Sequence, residues 1–283
     1  MKIAVIADIH ANLIALQAVV EDIEKWQPDK IIVAGDIVNR GPRPVECLQY
    51  IKEREAAEGW LVLGGNHEDF VAKLIREIQN SRQNPINPRA YDFYRPVYWT
   101  AKKLVHHLDE LEHLPFSQKV IADGNSELRV VHASMRGNRD GIYPETSDET
   151  LRDQIAPPPA AFGVGHTHRP LVRRVDSTLV INVGSVGLPF DGDTRAAYGR
   201  LTFSAGEWNA EVRRVTYNLR HAERDFWQTG FIKEGGPLVQ VMLSELRSAR
   251  SLLYVWTKHY EQPVMSGKLT MAQAVEDYLI SLV

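Results

Sequence analysis

The chain opens on a nearly unbroken apolar run, Lys2 to Ala7, that stops at Asp8-Ile9-His10. A run with so little alternation suits a strand buried on both faces. Asn12 follows as a helix cap, and Leu13, Leu16, Val20 and Ile23 recur at helical spacing until Pro28 closes the unit. A second β-branched run, Ile31 to Ala34, ends at Gly35, and Asp36 comes at once where the strand emerges into a loop. Pro42 and Pro44 start another helix through Ile51, Gly59 ends it, and Trp60 to Leu63 is a third strand running into Gly64-Gly65-Asn66-His67-Glu68. Strand, helix and strand in this order predict a parallel sheet.

The pattern then changes. Phe70 to Ile78 is helical, Asn80 to Pro96 reads as a surface excursion rich in Asn, Pro and Arg, and another helix spans about Trp99 to Leu108. Gln118 to Ala122 and Leu128 to His132 flank Asp123-Gly124-Asn125, a hairpin signal, with the loop Ser134-Met135-Arg136-Gly137 beyond. Pro157-Pro158-Pro159 is a rigid spacer ahead of Phe162 to Gly165, which delivers His166-Thr167-His168. Four short strands follow, Leu171 to Val175, Thr178 to Val183, Ala197 to Phe203 and Trp208 to Val215, so the second half is antiparallel or mixed. The two halves predict packed sheets with helices outside. After about Tyr217 only helix remains, with one stripe through Val239, Met242, Leu246, Ala249, Leu253 and Trp256 and another through Met271, Ala274, Val275, Tyr278 and Leu282. These stripes pack on the core, form a homodimer contact or cover a site as a lid; packing, with a role in stability more than in chemistry, is the expectation. The division expected is 1–217 and a helical extension, 218–283.

Composition narrows the function. With 33 Lys and Arg against 36 Asp and Glu, and a formal charge of -3, no global positive field or basic tract favours nucleic acid or an anionic membrane. The single cysteine, Cys47, lies in a predicted helix and excludes an intramolecular disulfide or a cysteine-rich zinc site. The first strand meets a carboxylate too soon for a secretory signal, and no apolar run approaches a membrane span, so the cytoplasm is the expected location.

Candidate chemistry sits just past the predicted strands: Asp8 and His10, Asp36, Asn66 and His67, His132, then His166 and His168. Any one of these has a bland alternative as a polar strand end or a satisfied structural histidine. The repetition decides, because strand ends of an open α/β sheet face one crevice. A carboxylate such as Asp36 has two oxygens and can bridge two cations about 3.5 to 4 Å apart, the spacing of two-metal hydrolysis. Mixed Asp, Asn and His donors without cysteine suit Mn, Fe, Zn or Ni, with no choice among them.

The ordered set Asp8-Ile9-His10, Gly35-Asp36 to Arg40-Gly41, Gly65-Asn66-His67-Glu68, Val131-His132 and Gly165-His166-Thr167-His168 resembles the motifs of the calcineurin-like metallophosphoesterase superfamily, over about Met1 to Thr216. The opening motif, with Gly184-Ser185-Val186-Gly187-Leu188-Pro189 and Asp191-Gly192-Asp193, resembles the bacterial group of diadenosine tetraphosphatases and related serine/threonine phosphatases. The resemblance implies a four-layer α/β/β/α sandwich and two metal ions, one on Asp8, His10, Asp36 and His168, the other on Asp36, Asn66, His132 and His166. It further implies attack on phosphorus by a bridging hydroxide, His67 as the acid for the departing oxygen, and Arg40 as a phosphate clamp, with Arg136 a second candidate. Two positions depart from the pattern. Ala11 stands where the family often has glycine, and Asn39 replaces the aspartate that charges the acid histidine in related protein phosphatases.

The expected protein is thus a metal-dependent phosphoesterase acting on a small phosphorylated substrate, a protein phosphoester, a cyclic nucleotide or a dinucleoside polyphosphate. The rivals are a non-catalytic scaffold on this fold, which should have lost ligands, and a nuclease, which lacks a basic tract.

Overall fold

A computed structural model describes residues 1–80 and 88–282. In chain order the first half holds β1 (Lys2–Ile6), α1 (Leu13–Trp26), β2 (Lys30–Ala34), α2 (Pro44–Glu58), β3 (Leu61–Leu63), α3 (Asn66–Asn80), α4 (Pro88–Lys103) and α5 (Leu108–Glu112). The second holds β4 (Ser117–Ala122), β5 (Ser126–Val131), α6 (Asp148–Ile155), β6 (Ala161–Val164), β7 (Leu171–Val175), β8 (Thr178–Asn182), β9 (Ala196–Ser204) and β10 (Glu207–Val215). Five helices close the chain: α7 (Leu219–Gln228), α8 (Phe231–Glu234), α9 (Leu238–Ser248), α10 (Leu252–Met265) and α11 (Met271–Ile280).

The strands form two mixed sheets, in the orders β10-β9-β1-β2-β3 and β4-β5-β6-β8-β7. β1, β2 and β3 run parallel, as do β5, β6 and β8, while β9, β10, β4 and β7 pair antiparallel at the edges. The apolar run in β1 explains why it is central. Ile3, Val5 and Ala7 enter the core between the sheets, and Ala4 and Ile6 enter the core under α1 to α4, so both faces are buried. A further cluster, including Leu151, Phe162 and Val180, covers the second sheet beneath α6. This is the expected four-layer sandwich.

Local signals behave as read at most positions. Asn12 caps α1 by accepting the Ala15 amide at 3.1 Å, Leu16, Val20 and Ile23 are buried, and Cys47 is buried in α2. Three boundaries differ. The third helix begins at Asn66, not Phe70, so a candidate ligand lies on its first residue. The expected excursion over Asn80 to Pro96 is helical from Pro88 onward, with Pro96 inside α4; its part at 81–87 lies outside the described residues. The helix expected to reach Leu108 stops at Lys103, before α5.

The C-terminal stripe also divides. Ala249 ends α9 with φ 51°, leaving Val239, Met242 and Leu246 on α9 and Leu253 and Trp256 on α10. Leu282, expected on the last stripe, is exposed. Val239, Met242 and Leu246 pack with Trp99, Leu188, Phe226 and Phe231, which ties the extension to α4 and to the loop after β8. Among the described residues, no helix is long and apolar enough to cross a membrane. Phe231 is fully buried, with its ring centroid 4.6 Å from Trp99, so Phe231→Ala is expected to cost ~3–5 kcal/mol. Urea unfolding followed by tryptophan fluorescence should show one transition at lower urea; a separate early transition that leaves the main one in place would contradict docking of the extension.

Candidate metal centre

The ends of β1, β2, β5 and β6 meet on one side of the sandwich, and backbone bonds lock their loops together. Asp8, His10 and Ala11 donate amides to the carbonyls of Gly35, Asp36 and Ile37, and Gly165 donates to His132. Asp8, His10, Ala11, Asp36, Asn39, Arg40, His166 and His168 all have positive φ, between 47° and 68°. Non-glycine residues gathered in this sparsely populated region mark strain held by the surrounding structure, a feature of functional sites. Ala11, the position that departs from glycine, is left-handed at φ 54°.

Asp8 and Asp36 divide their oxygens between scaffold and site. Asp8 Oδ2 accepts the His166 amide at 2.8 Å. Its Oδ1 has no hydrogen-bond partner among the described residues and faces His168 Nε2 at 3.3 Å and His10 Nε2 at 3.8 Å. Asp36 Oδ1 accepts the His67 amide at 2.9 Å, while Oδ2 lies 3.3 Å from His132 Nε2 and 3.7 Å from His10 Nε2. Gly65 and Gly165 make these arrangements possible by close approach. A Cβ on Gly65 would stand 2.2 Å from Asp36 Oδ1, and one on Gly165 2.4 Å from Asp8 Oδ2. Gly165 itself is not left-handed; the left-handed residues are His166 and His168.

The imidazoles are oriented from behind. His132 Nδ1 bonds the Ala34 carbonyl at 2.8 Å and His168 Nδ1 the Leu188 carbonyl at 2.5 Å, so each carries its proton on Nδ1 and turns Nε2 to the site. There His10 Nε2 and His168 Nε2 stand 3.1 Å apart, and His132 Nε2 stands 3.1 Å from Asn66 Oδ1 and 3.2 Å from His166 Nδ1. His168 Nε2 and Asn66 Oδ1 are acceptors turned to the site, and with the buried Asp8 oxygen that has no partner they make a donor set that fits cations. The donor atoms form overlapping groups: Asp8, His10 and His168; Asp36, His132 and His166; and Asp36 with His10 and His67.

The electrostatics agree. Burial, with the charges of His168 and His67, holds His10 well below its ordinary value, and burial with His132 brings His166 to about 4. Both are neutral at pH 7, the state in which an imidazole can bind a metal. Burial alone would also lower His132, but the charge and hydrogen bond of Asp36 raise it to about 10, so positive charge is favoured at that point. Burial opposes ionisation of Asp36, yet His132 and His67 hold its carboxyl well below the usual range.

His67 and Asn39 adjoin these groups. Asn39 Nδ2 stands 2.7 Å from His67 Nδ1, and its Oδ1 accepts the Thr100 hydroxyl at 3.5 Å, which orients the amide as donor to the ring. Burial, reinforced by Arg40 and His132 and opposed by Asp36, brings His67 to about 4. A neutral His67 that accepts at Nδ1 carries its proton on Nε2. Arg40 pairs with Glu245 of α9, Nη2 to Oε2 at 2.6 Å.

A cavity of about 940 Å³ opens over these residues, with Asp36, Asn66, His67, His166 and His168 in its floor and Arg40, Tyr143, Arg169, Phe190, Arg250 and Tyr254 in its walls. Arg136 is not brought into it: its side chain is half-exposed and pairs with Asp140 at 3.3 Å. Arg169 and Arg250 stand there instead. Arg169 could have been suspected from its place beside His168, but nothing local marks Arg250 or Tyr254.

Calcineurin-like phosphoesterase superfamily domain is the family description matching residues 1–206. The chain belongs to this superfamily. A 28% identical relative, the uncharacterized protein MJ0912 of Methanocaldococcus jannaschii, aligns over 78% of this chain and 89% of its own length. A symmetrical bis(5'-nucleosyl)-tetraphosphatase from Buchnera aphidicola is 25% identical, but over 37% of this chain and 38% of its own. The crystal structure of a metallophosphoesterase from Sphaerobacter thermophilus superposes with a TM-score of 0.67 at 27% identity, covering 88% of this chain and 99% of that one.

Glu68 is the residue whose role was missed, although its motif was quoted. Fully buried in the first turn of α3, it accepts the amides of Asp36, Ile37, Val38 and Gly65 at 2.8 to 3.1 Å. Burial and the charge of Asp36 raise it to about 7, against the bonds from Val38 and Gly65. It fixes the loop that carries Asp36. Glu68→Ala strands these amides and is expected to cost at least ~3 kcal/mol, read as a lower urea midpoint; a loss below ~1 kcal/mol would show the loop is held by other contacts.

Proposed function

We propose that the chain hydrolyses a phosphoester or phosphoanhydride of a small phosphorylated molecule, foremost a nucleotide, at a dinuclear metal site. The observation that carries this reading is Asp36 Oδ2, which faces His10 on one side and His132 on the other. Because Oδ1 accepts the His67 amide, Oδ2 is the Asp36 oxygen that would serve the ions. Asp8, His10, Asp36 and His168 would hold one, and Asp36, Asn66, His132 and His166 the second. Bound divalent ions of the Mn, Fe, Zn or Ni type supply acidified water and charge neutralisation at phosphorus.

The chain's own groups do the rest. Arg40 lines the cavity beside His67 and offers guanidinium donors to phosphoryl oxygens. His67 presents Nε2–H to the departing oxygen, and Asn39 keeps the opposite nitrogen in the accepting state. Tyr143 and Tyr254 are exposed aromatic surfaces on the walls, and Arg250 has no carboxylate within ion-pairing distance among the described residues. Such walls suit a substrate that carries further phosphate and a ring. The tetraphosphatase relatives support a nucleotide, and a scaffold role is disfavoured because every donor position is filled.

Manganese-loaded protein should be screened against nucleotides, phosphopeptides and aryl phosphates, with nucleotides expected to turn over fastest and chelation to abolish activity. Preference for phosphopeptides would favour a serine/threonine phosphatase instead. Asp36→Asn should drop bound manganese from about two ions per chain to below one by elemental analysis; unchanged loading would remove Asp36 from its bridging place.

Asn39 bears on the leaving group. A neutral His67 is a weak acid, and an anhydride's phosphate leaving group needs a proton less than an alkoxide does. His67→Ala should therefore slow an alkyl phosphate at least ~tenfold more than a nucleotide anhydride, and Asn39→Asp should shift preference toward alkyl phosphates. Equal losses on both substrates, where chemistry limits the rate, would mean that His67 acts by binding the phosphoryl group alone.

A further inference from the structure

The Arg40 guanidinium sits where two parts of the chain meet. Its Nη2 donates to Glu245 Oε2 at 2.6 Å, its Cζ lies over the Phe190 ring 5.5 Å from the centroid, and its Nε is buried with no hydrogen-bond partner among the described residues. Phe190 stacks on the His168 ring, 4.3 Å between centroids and 11° from parallel, and its amide donates to the His168 carbonyl. Arg40 is thus held between a candidate metal ligand's neighbour and a carboxylate 205 residues away.

Glu245 is fully buried, and both its oxygens are used: Oε2 by Arg40, and Oε1 by the Leu253 amide at 2.8 Å, across the corner between α9 and α10. A carboxylate so placed cannot swing toward water without breaking both bonds, so the guanidinium it grips is fixed in turn. The pair is asymmetric. The Arg40 side chain keeps 14% of its surface open where it lines the cavity, whereas Glu245 keeps none. Arg40 is also the member with an unused buried donor, its Nε. Glu245 stands beyond residue 206, where the family match ends.

We propose that Glu245 is a positioning residue: through its bond to Nη2 it fixes Arg40 with the remaining guanidinium donors aimed at a phosphoryl oxygen, so the helical extension completes the anion site. The inference rests on the reading of Arg40 as a phosphate-binding group. It predicts that Glu245 governs phosphate affinity by way of Arg40 and by no other route.

The test uses the full-length, manganese-loaded protein, with inorganic phosphate binding measured by calorimetry and p-nitrophenyl phosphate hydrolysis giving KM and kcat separately. Arg40→Met should weaken phosphate binding at least ~tenfold, and Glu245→Gln, which keeps an acceptor for the Leu253 amide, at least ~fivefold with KM rising more than kcat falls. In an Arg40→Met background, Glu245→Gln should change phosphate affinity less than ~twofold. Manganese content should stay unchanged throughout. If Glu245→Gln does not fold, Glu245→Asp retains the charge but retracts it by one methylene and should give the same loss. Tighter phosphate binding in either Glu245 variant would show that the carboxylate neutralises Arg40 and overturn the proposal. Equal losses with and without Arg40 would overturn it as well, since Glu245 would then act elsewhere. Unchanged affinity in the Glu245 variants, with Arg40→Met impaired, would refute the positioning role while leaving Arg40 as an anion binder. Unchanged affinity in Arg40→Met would remove the reading of Arg40 and the inference with it.

Discussion

Buried negative charge at the place where the two sheets meet is the constraint on which the rest depends. Asp8 and Asp36 are almost wholly removed from solvent, and isolated carboxylates in such surroundings are costly. Each meets the cost in the same way, by accepting a backbone amide on one oxygen and facing imidazole nitrogens with the other. The accepted amides belong to His166 and His67, so the charges that attract cations also set the loops that supply further donors. Left-handed residues from Asp8 to His168 can persist because this network over-determines them.

The same logic extends outward. Glu68 gathers the amides around Asp36, and Ser185 gives its hydroxyl to the Asp8 carbonyl at 2.7 Å. On the open side, the stack from His168 through Phe190 to Arg40 passes the position of a candidate metal ligand to the guanidinium, and Glu245 carries it into α9. The helical extension was expected to serve stability more than chemistry. It does bury Phe231 and Leu246, but it also brings Arg250 and Tyr254 to the cavity wall.

Much of this was legible because it is local in the chain. The apolar runs that form β1, β2, β5 and β6 lead directly into Asp8, Asp36, His132 and His166, and the structure brings these strand ends together. What was not legible depends on neighbours remote in sequence. Nothing near Gly165 says that its missing Cβ makes room for Asp8, and nothing near Glu245 says that its partner is Arg40. The stripe over Val239 to Trp256 read as one surface because periodicity does not register a single left-handed residue at Ala249. Arg136, expected as a second anion binder, pairs with Asp140 and does not line the cavity, a contact that the sequence around it does not mark.

In the proposed site the oxygen donors and imidazoles would hold two cations joined by one oxygen of Asp36, and anomalous X-ray scattering from a crystal of the manganese-loaded protein tests this directly. Two peaks about 3.5 to 4 Å apart are expected, with Asp36 Oδ2 bonded to both. A single peak at full loading, or two ions with Asp36 bonded to only one of them, would contradict it.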